Sequence, residues 1–362
     1  MELAASAFRT ALALEPTSLN GYTGLAGALK QTDPVGAAAA LAAAASDDAL
    51  IAKANATREW LQTSKSPMPI EASEAASELE SLSRYADLLE RAPRCRSTTM
   101  QEAIASGAEA LTQGGPVRLT NASADWRAHS WDDDVIMAEV GAEALEMLAM
   151  PQPEHPTLDP LHGALLEPAR FGVYFGDYLR LLDLLSPQQR EDNIPSPTFS
   201  AYIAQLNLLR LPNLLKHVCL PRALPSTALS IANLWVGGSL MRNGLHFDLY
   251  DNLLFQIRGG KRAVLFPPND QEHLDYGAAP IRRHSFSLPA GFSNKTVYEK
   301  IRHNVARLNI FSQDLLASNP EVSKASPMIC EIDPGDALFL PKGWHHAVIS
   351  VAPSRRNLAV NL

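Results

Sequence analysis

From Val117 onward the chain is written in short apolar runs punctuated by glycine and proline. Such punctuation favours antiparallel strands stacked as a sandwich or jelly roll over any helical bundle. The first run, Val117-Arg118-Leu119-Thr120, follows the turn Gly114-Gly115-Pro116, and Trp126 and Trp131 come soon after. The clearest strands are expected at Ser230 to Trp235, Leu253 to Ile257, Ala263 to Phe266, Ala337 to Leu340 and Ala347 to Val351.

The first third reads differently. Residues 1–64 are rich in alanine, and Ala4, Phe8, Ala11 and Pro16 stand at the spacing that closes a tetratricopeptide unit. Tyr22, Leu25, Ala26, Ala38 and Ala45 fit a second unit, although Ala42 occupies its phenylalanine position. A plain alanine-rich helical hairpin accounts for the same pattern, because about three repeats are needed to bury a continuous face. The stretch Ser64 to Pro69 contains two prolines and reads as a linker. From Glu71 to Leu111 the spacing of Leu79, Leu82, Leu88 and Leu89 predicts helix, with a break near Pro93. Three segments follow: a helical region over 1–64, a linker with flanking helices over 65–115, and a β domain over 116–362. The expected class is α+β.

Composition bounds the function. At 362 residues and 46% hydrophobic content, the chain can bury a sizeable core. Its formal charge of -8 provides no global positive field, so nucleic acid and anionic membranes are disfavoured partners. Cys95, Cys219 and Cys330 are far apart and odd in number, which argues against a disulfide framework and against a cysteine zinc site. A reducing compartment, cytoplasm or nucleus, is expected. The N-terminus lacks a basic segment followed by an apolar run, and no window reaches the roughly 18 apolar residues of a membrane span.

The chemistry gathers at His246-Phe247-Asp248. In a strand, residues two apart project from one face, so an imidazole and a carboxylate lie side by side. Far downstream, Trp344-His345-His346 follows the turn Pro341-Lys342-Gly343, and antiparallel pairing would return a second imidazole to that face. Two histidines and a carboxylate form a facial triad that leaves coordination positions open, which suits Fe(II) better than zinc. Taken alone, such a His-x-Asp is an ordinary polar strand face. Lys261, fifteen residues after His246, opens the apolar strand Lys261-Arg262-Ala263-Val264-Leu265-Phe266. It points either into solvent or toward an internal anion.

Here the sequence resembles the cupin-like JmjC hydroxylases. The matching text is Asn233-Leu234-Trp235-Val236-Gly237, then HFD continuing to DNLLFQIRGGKRAVLFPP, then DPGDALFLPKGWHH and the closing LAVNL. The resemblance covers about residues 116–362 and implies a double-stranded β-helix, the jelly roll of cupins, with iron held by His246, Asp248 and His346. It also selects His346 over His345, as does strand alternation. Lys261 matches the lysine that pairs with the distal carboxylate of the cosubstrate 2-oxoglutarate, and Tyr202 the tyrosine that hydrogen-bonds the same group. Asn252 and Asn361 match amides near the cosubstrate. Asn243 stands where relatives have threonine or serine, and it still donates and accepts hydrogen bonds. Phe247, Trp235 and Trp344 are expected to shape the pocket.

The implied activity is an Fe(II)- and 2-oxoglutarate-dependent dioxygenase, consuming dioxygen and hydroxylating a side chain of a protein substrate. The same iron chemistry serves tRNA and small-molecule hydroxylases and lysine demethylases, and the fold also serves silent binding proteins. A zinc or manganese cupin is a further alternative, against which Lys261 and Tyr202 argue. The sequence ends one residue after Asn361, short of the helices through which several relatives pair, so pairing of that type is not expected. Between Asn269 and Met328 the chain is long and irregular, with a helical stripe at Val297, Ile301, Val305 and Leu308. Within it, Arg282-Arg283-His284 offers a basic run to an acidic partner or to solvent.

Overall fold

Pairing along the chain turns the apolar runs into two facing sheets. The computed structural model describes residues 48–63, 87–107, 114–150, 154–155, 157–159, 164–185, 200–219, 232–238, 241–287, 291–296, 304–312, 314–351 and 356–362. The tetratricopeptide-like stretch 1–47 and the linker Ser64 to Pro69 lie outside these residues.

The strands are β1 (Arg96–Thr99), β2 (Val117–Thr120), β3 (Ala144–Met150), β4 (Glu154–His155), β5 (Thr157–Asp159), β6 (Ala164–Glu167), β7 (Ala169–Tyr174), β8 (Ser200–Asn207) and β9 (Asn233–Gly237). They continue as β10 (Arg242–Phe247), β11 (Asn252–Arg258), β12 (Gly260–Phe266), β13 (Ile281–Ser287), β14 (Gly291–Thr296), β15 (Met328–Ile332), β16 (Ala337–Leu340), β17 (His345–Val351) and β18 (Asn357–Asn361). A nine-stranded sheet runs β1-β2-β16-β11-β18-β9-β8-β3-β7, and a five-stranded sheet runs β15-β12-β17-β10-β4. A smaller sheet, β14-β13-β6-β5, stands beside them. Large, mainly antiparallel sheets with few helices fit the expected jelly roll. The expected runs at Val117 and Ala337 coincide with β2 and β16. Of the run expected from Ser230, Ser230 and Ile231 lie outside the described residues, and Asn233 opens β9, where its ladder with β18 begins at Asn361.

Three apolar layers hold this arrangement. Leu234, Val236, Phe255 and Leu358 pack against Trp131, Phe175 and Tyr178 on the outside of the large sheet. Leu245, Val264, Phe266 and Ala347 pack against Ile310, Leu315 and Val322 outside the five-stranded sheet. Ala263, Leu265, Cys330, Ile332, Leu338, Leu340 and Val348 fill the space between the two sheets. A buried charge ties one edge together. Arg356, 1% exposed, lies 2.7 Å from Asp133 and 2.8 Å from Asp183, so it is not left uncompensated.

Helix α1 (Asp48–Thr63) packs on β7. Gly172 allows the close approach, since a Cβ there would lie 2.9 Å from the Leu50 carbonyl oxygen. Thr57 donates to the Gly172 carbonyl at 2.6 Å. No helix among the described residues is long and apolar enough to cross a membrane.

Four expectations need correction. The helix predicted over Glu71 to Leu111 is broken within its described part into α2 (Asp87–Glu90), strand β1 and α3 (Met100–Ser106). The cause is local: β1 pairs in parallel with β2, and Thr99 then caps α3 in a capping box with Glu102. The basic run is a strand, not a free surface. Arg283 pairs with Glu167 of the neighbouring β6 at 2.7 Å, and alternation turns His284 inward, where it is buried. Val305 of the supposed helical stripe forms a β-bridge to His246, and Leu308 is core, while Val297 and Ile301 lie outside the described residues.

The fourth correction concerns the cysteines. Cys95 and Cys330 form a disulfide across a separation of 235 residues, with Cα atoms 5.2 Å apart. Spacing along the chain gives no hint of it; Cys95 meets Cys330 because the Cys95 amide donates to the Ile329 carbonyl at 2.9 Å, beside β15. Closing so long a loop is worth about 5 kcal/mol in the chain-entropy picture. Reduction is therefore expected to lower the melting temperature by about 10 °C. Alkylation under denaturing conditions without reductant should modify exposed Cys219 alone; modification of all three thiols would refute the bond.

Candidate metal centre

Two imidazoles and one carboxylate converge between the sheets. His246 of β10 pairs directly with His346 of β17, so one rung of an antiparallel ladder presents both rings to the same cavity. Their centroids are 4.1 Å apart. Asp248 lies just beyond the end of β10, and one of its carboxylate oxygens is 3.6 Å from His346 Nε2. One ligand atom from each residue falls within 4.8 Å of the others. A register shift between Asn243 and His246 aims both side chains inward.

The protonation pattern suits a metal. His246 Nδ1 lies 2.8 Å from the Gly244 carbonyl and His346 Nδ1 3.1 Å from the Trp344 carbonyl. Each carbonyl takes an Nδ1–H, which leaves the Nε2 lone pairs free to coordinate. Burial, with His246 alongside, holds His346 well below the usual imidazole pKa, so the ring stays neutral. His345 points the other way, against Phe247 and Tyr276, with Nδ1 2.9 Å from the Tyr276 hydroxyl.

The cavity measures about 80 Å³ and is lined by Tyr202, Gln205, Trp235, Asn243, Asn252, Leu254, Lys261 and Asn361 together with the triad and apolar residues of β16 and β17. Lys261 is 4% exposed. Burial pushes its ammonium from the ordinary 10.5 down to about 8. Among the described residues its one hydrogen-bond acceptor is Ser350, at 3.3 Å, and none of them pairs a carboxylate with it. A buried ammonium without a counter-charge is a costly arrangement that an anionic ligand relieves.

Tyr202 is buried, shares a hydrogen bond with Asn243 and stacks 5.8 Å from Trp235. Burial raises its pKa, so it remains an O–H donor. Trp235 Nε1 donates to Asn361 Oδ1 at 2.6 Å, and Asn361 Nδ2 donates to Asn252 Oδ1 at 3.2 Å. All eight predicted site residues thus meet in one cavity.

Sequence reasoning missed Gln205 and Ser350. Gln205 is aimed by a bulge in β8 and a left-handed backbone, φ 53°, which no motif announces. Ser350 was readable, because His346, Val348 and Ser350 alternate on one face. Two aromatic expectations fail: Phe247 packs behind the site, and Trp344 stands over Gly115 and lines a separate apolar cavity.

Fold and site together define a jelly-roll protein with a two-histidine, one-carboxylate cluster and a basic residue inside the barrel. Residues 103–362 match the cupin-like domain family, so the chain belongs to that family, of JmjC type. Human HSPB1-associated protein 1 is 33% identical over 123 residues, 34% of this chain and 21% of that protein. Human tRNA wybutosine-synthesizing protein 5 is 37% identical over 105 residues, 29% of this chain and 25% of its own length. Lysine-specific demethylase JMJ31 of Arabidopsis thaliana is 29% identical over 161 residues, covering 41% and 25%. These alignments span a quarter or less of each relative's length. The relatives support an oxygenase-type fold.

Proposed function

We propose that this chain is an Fe(II)- and 2-oxoglutarate-dependent oxygenase that hydroxylates a side chain of a protein substrate. The observation that carries this reading is the meeting, in one cavity, of the convergent triad and a buried lysine without a counter-charge. His246, Asp248 and His346 would hold the iron. When bound, iron(II) couples oxidative decarboxylation of 2-oxoglutarate by dioxygen to hydroxylation of a C–H bond. The protein's own groups do the positioning. Lys261 pairs with the distal carboxylate, Tyr202 donates to the same group, and Asn243 holds the phenol in place. Asn252 and Asn361 offer amides beside the cosubstrate, and Leu254, Leu338, Leu340 and Val348 keep water out.

The cavity also bears on the substrate. At about 80 Å³ it falls far below the ~300 Å³ at which ordinary small-molecule pockets begin. A substrate that keeps its bulk outside and inserts one group suits this space, as a macromolecule does.

The decisive test is anaerobic loading with iron(II) and 2-oxoglutarate, followed by oxygen. A visible charge-transfer band and oxygen-dependent succinate are expected; absence of both from fully loaded wild-type protein would overturn the reading. Zinc or manganese in place of iron should give no succinate.

A further inference from the structure

The two most exposed large apolar side chains among the described residues stand next to each other beside the triad. Leu249 is 72% exposed and Tyr250 81%, against 42% for the next, Ile104. Scattered surface hydrophobes are ordinary, but an adjacent pair this exposed is not.

Nor is the turn loose. The Asp248 carbonyl accepts from the Gly343 amide at 2.8 Å, and the Asp251 carboxylate accepts from the Lys342 amide at 2.9 Å. On the other side, the Phe247 amide donates to the Asn304 carbonyl at 3.0 Å, and Asn304 Nδ2 returns a bond to the Phe247 carbonyl at 2.8 Å. Both ends of the four-residue turn Asp248-Leu249-Tyr250-Asp251 are therefore fixed to the segments around the cavity, one of them the loop leading to His346. Leu249 and Tyr250 belong to no apolar cluster and do not line the cavity. They project into solvent directly after Asp248, which does line it.

We propose that Leu249 and Tyr250 form the docking element for the polypeptide substrate, seating an apolar side chain close in sequence to the residue that enters the cavity. This rests on the oxygenase reading above. The small cavity leaves the substrate's body outside, and the turn that carries Leu249 and Tyr250 begins at Asp248, a residue of the cavity wall. Charge selects polypeptide over RNA. A strand-binding surface combines aromatic platforms with a positive groove. Here the neighbours of the aromatic are Asp248, which the metal would hold, and Asp251, with Lys342 on the facing turn as a single cation, so no positive groove surrounds it, and the whole chain carries -8. A tyrosine beside a leucine supplies the rigid apolar contact typical of protein recognition.

The test offers two pools to the iron-loaded full chain: a random decapeptide library and total tRNA, each read by mass spectrometry for one added oxygen. The charge-transfer band and substrate-free conversion of 2-oxoglutarate by wild type are recorded first, and the absence of both would refute the oxygenase reading itself. With either present, oxidation of library peptides enriched for an apolar residue near the modified position is expected. The double variant L249S/Y250S should need at least about tenfold more peptide for half-maximal rate, while L249M/Y250F should match wild type. Iron binding and melting temperature control for folding. Equal peptide use by L249S/Y250S and wild type would overturn the proposal. Oxidation of tRNA in place of peptide, or of neither pool, would overturn it as well.

Discussion

His246→Ala is expected to abolish oxygen-dependent succinate formation. The substitution leaves Asp248 and His346 without the imidazole that faces His346 across one rung of the ladder, and a metal held by two groups is neither retained nor oriented. Loss of several kcal/mol of metal-derived stabilisation corresponds to about a thousandfold in rate. Titration with cobalt(II), followed by its visible absorption, separates lost metal binding from lost chemistry. Turnover within tenfold of wild type would sink the metal assignment. The fold should survive, because His246 sits at the end of β10 and is not part of its apolar core.

Lys261→Met carries the second large effect, directed at the cosubstrate. Methionine fills the space but leaves the incoming carboxylate unpaired in a buried setting, at a cost of about 3–5 kcal/mol. The concentration of 2-oxoglutarate for half-maximal rate should rise at least about a hundredfold. Metal binding should persist. In wild type, the Lys261 pKa of about 8 sets a pH dependence. Below pH 8 the ammonium is charged and attracts the carboxylate. As pH rises through 8 the free protein loses that charge, and affinity should fall by about tenfold per unit. Stability runs in the opposite sense: the unfolded lysine binds its proton up to about 10.5 and the folded one only to about 8, so this residue favours the folded state increasingly between those values. An affinity flat from pH 7 to pH 10 would count against Lys261 as the carboxylate partner, and Lys261→Met should show that flat profile.

Much of this site was legible because its chemistry is written in short, local signals. His246-Phe247-Asp248, the turn before His346 and the fifteen-residue offset to Lys261 are consecutive text, and strand alternation converts that text into faces. What stayed hidden depends on register between distant segments. Cys95 and Cys330 are separated by 235 residues, and only the strand beside Cys95 brings them together. Gln205 enters the cavity through a bulge, which shifts the period of two on which alternation arguments depend. Phe247 and Trp344 were expected in the pocket for their size, but neither lines it: Phe247 packs on Tyr276 and His345, and Trp344 on Gly115. The helix predicted beyond the break near Pro93 gives way to strand at Arg96–Thr99 because Thr98 and Thr99 are better strand and cap residues than helix interior.

The pairing of Leu265 with Met328 has an evolutionary consequence. The sixty-odd residues between them return to the sheet at the same rung, and among the described residues Asn304 to Ala306 pair with β10 on the way, so length added away from that contact is decoupled from the ladder carrying the histidines. Doubling such an excursion costs only ~0.6 kcal/mol in closure entropy. Insertions, deletions or exchange away from Asn304 to Ala306 can alter the outer wall of the protein while the reaction centre keeps its dimensions. A barrel built this way lets natural selection, or a designer, exchange that wall as a cartridge around an unchanged hearth.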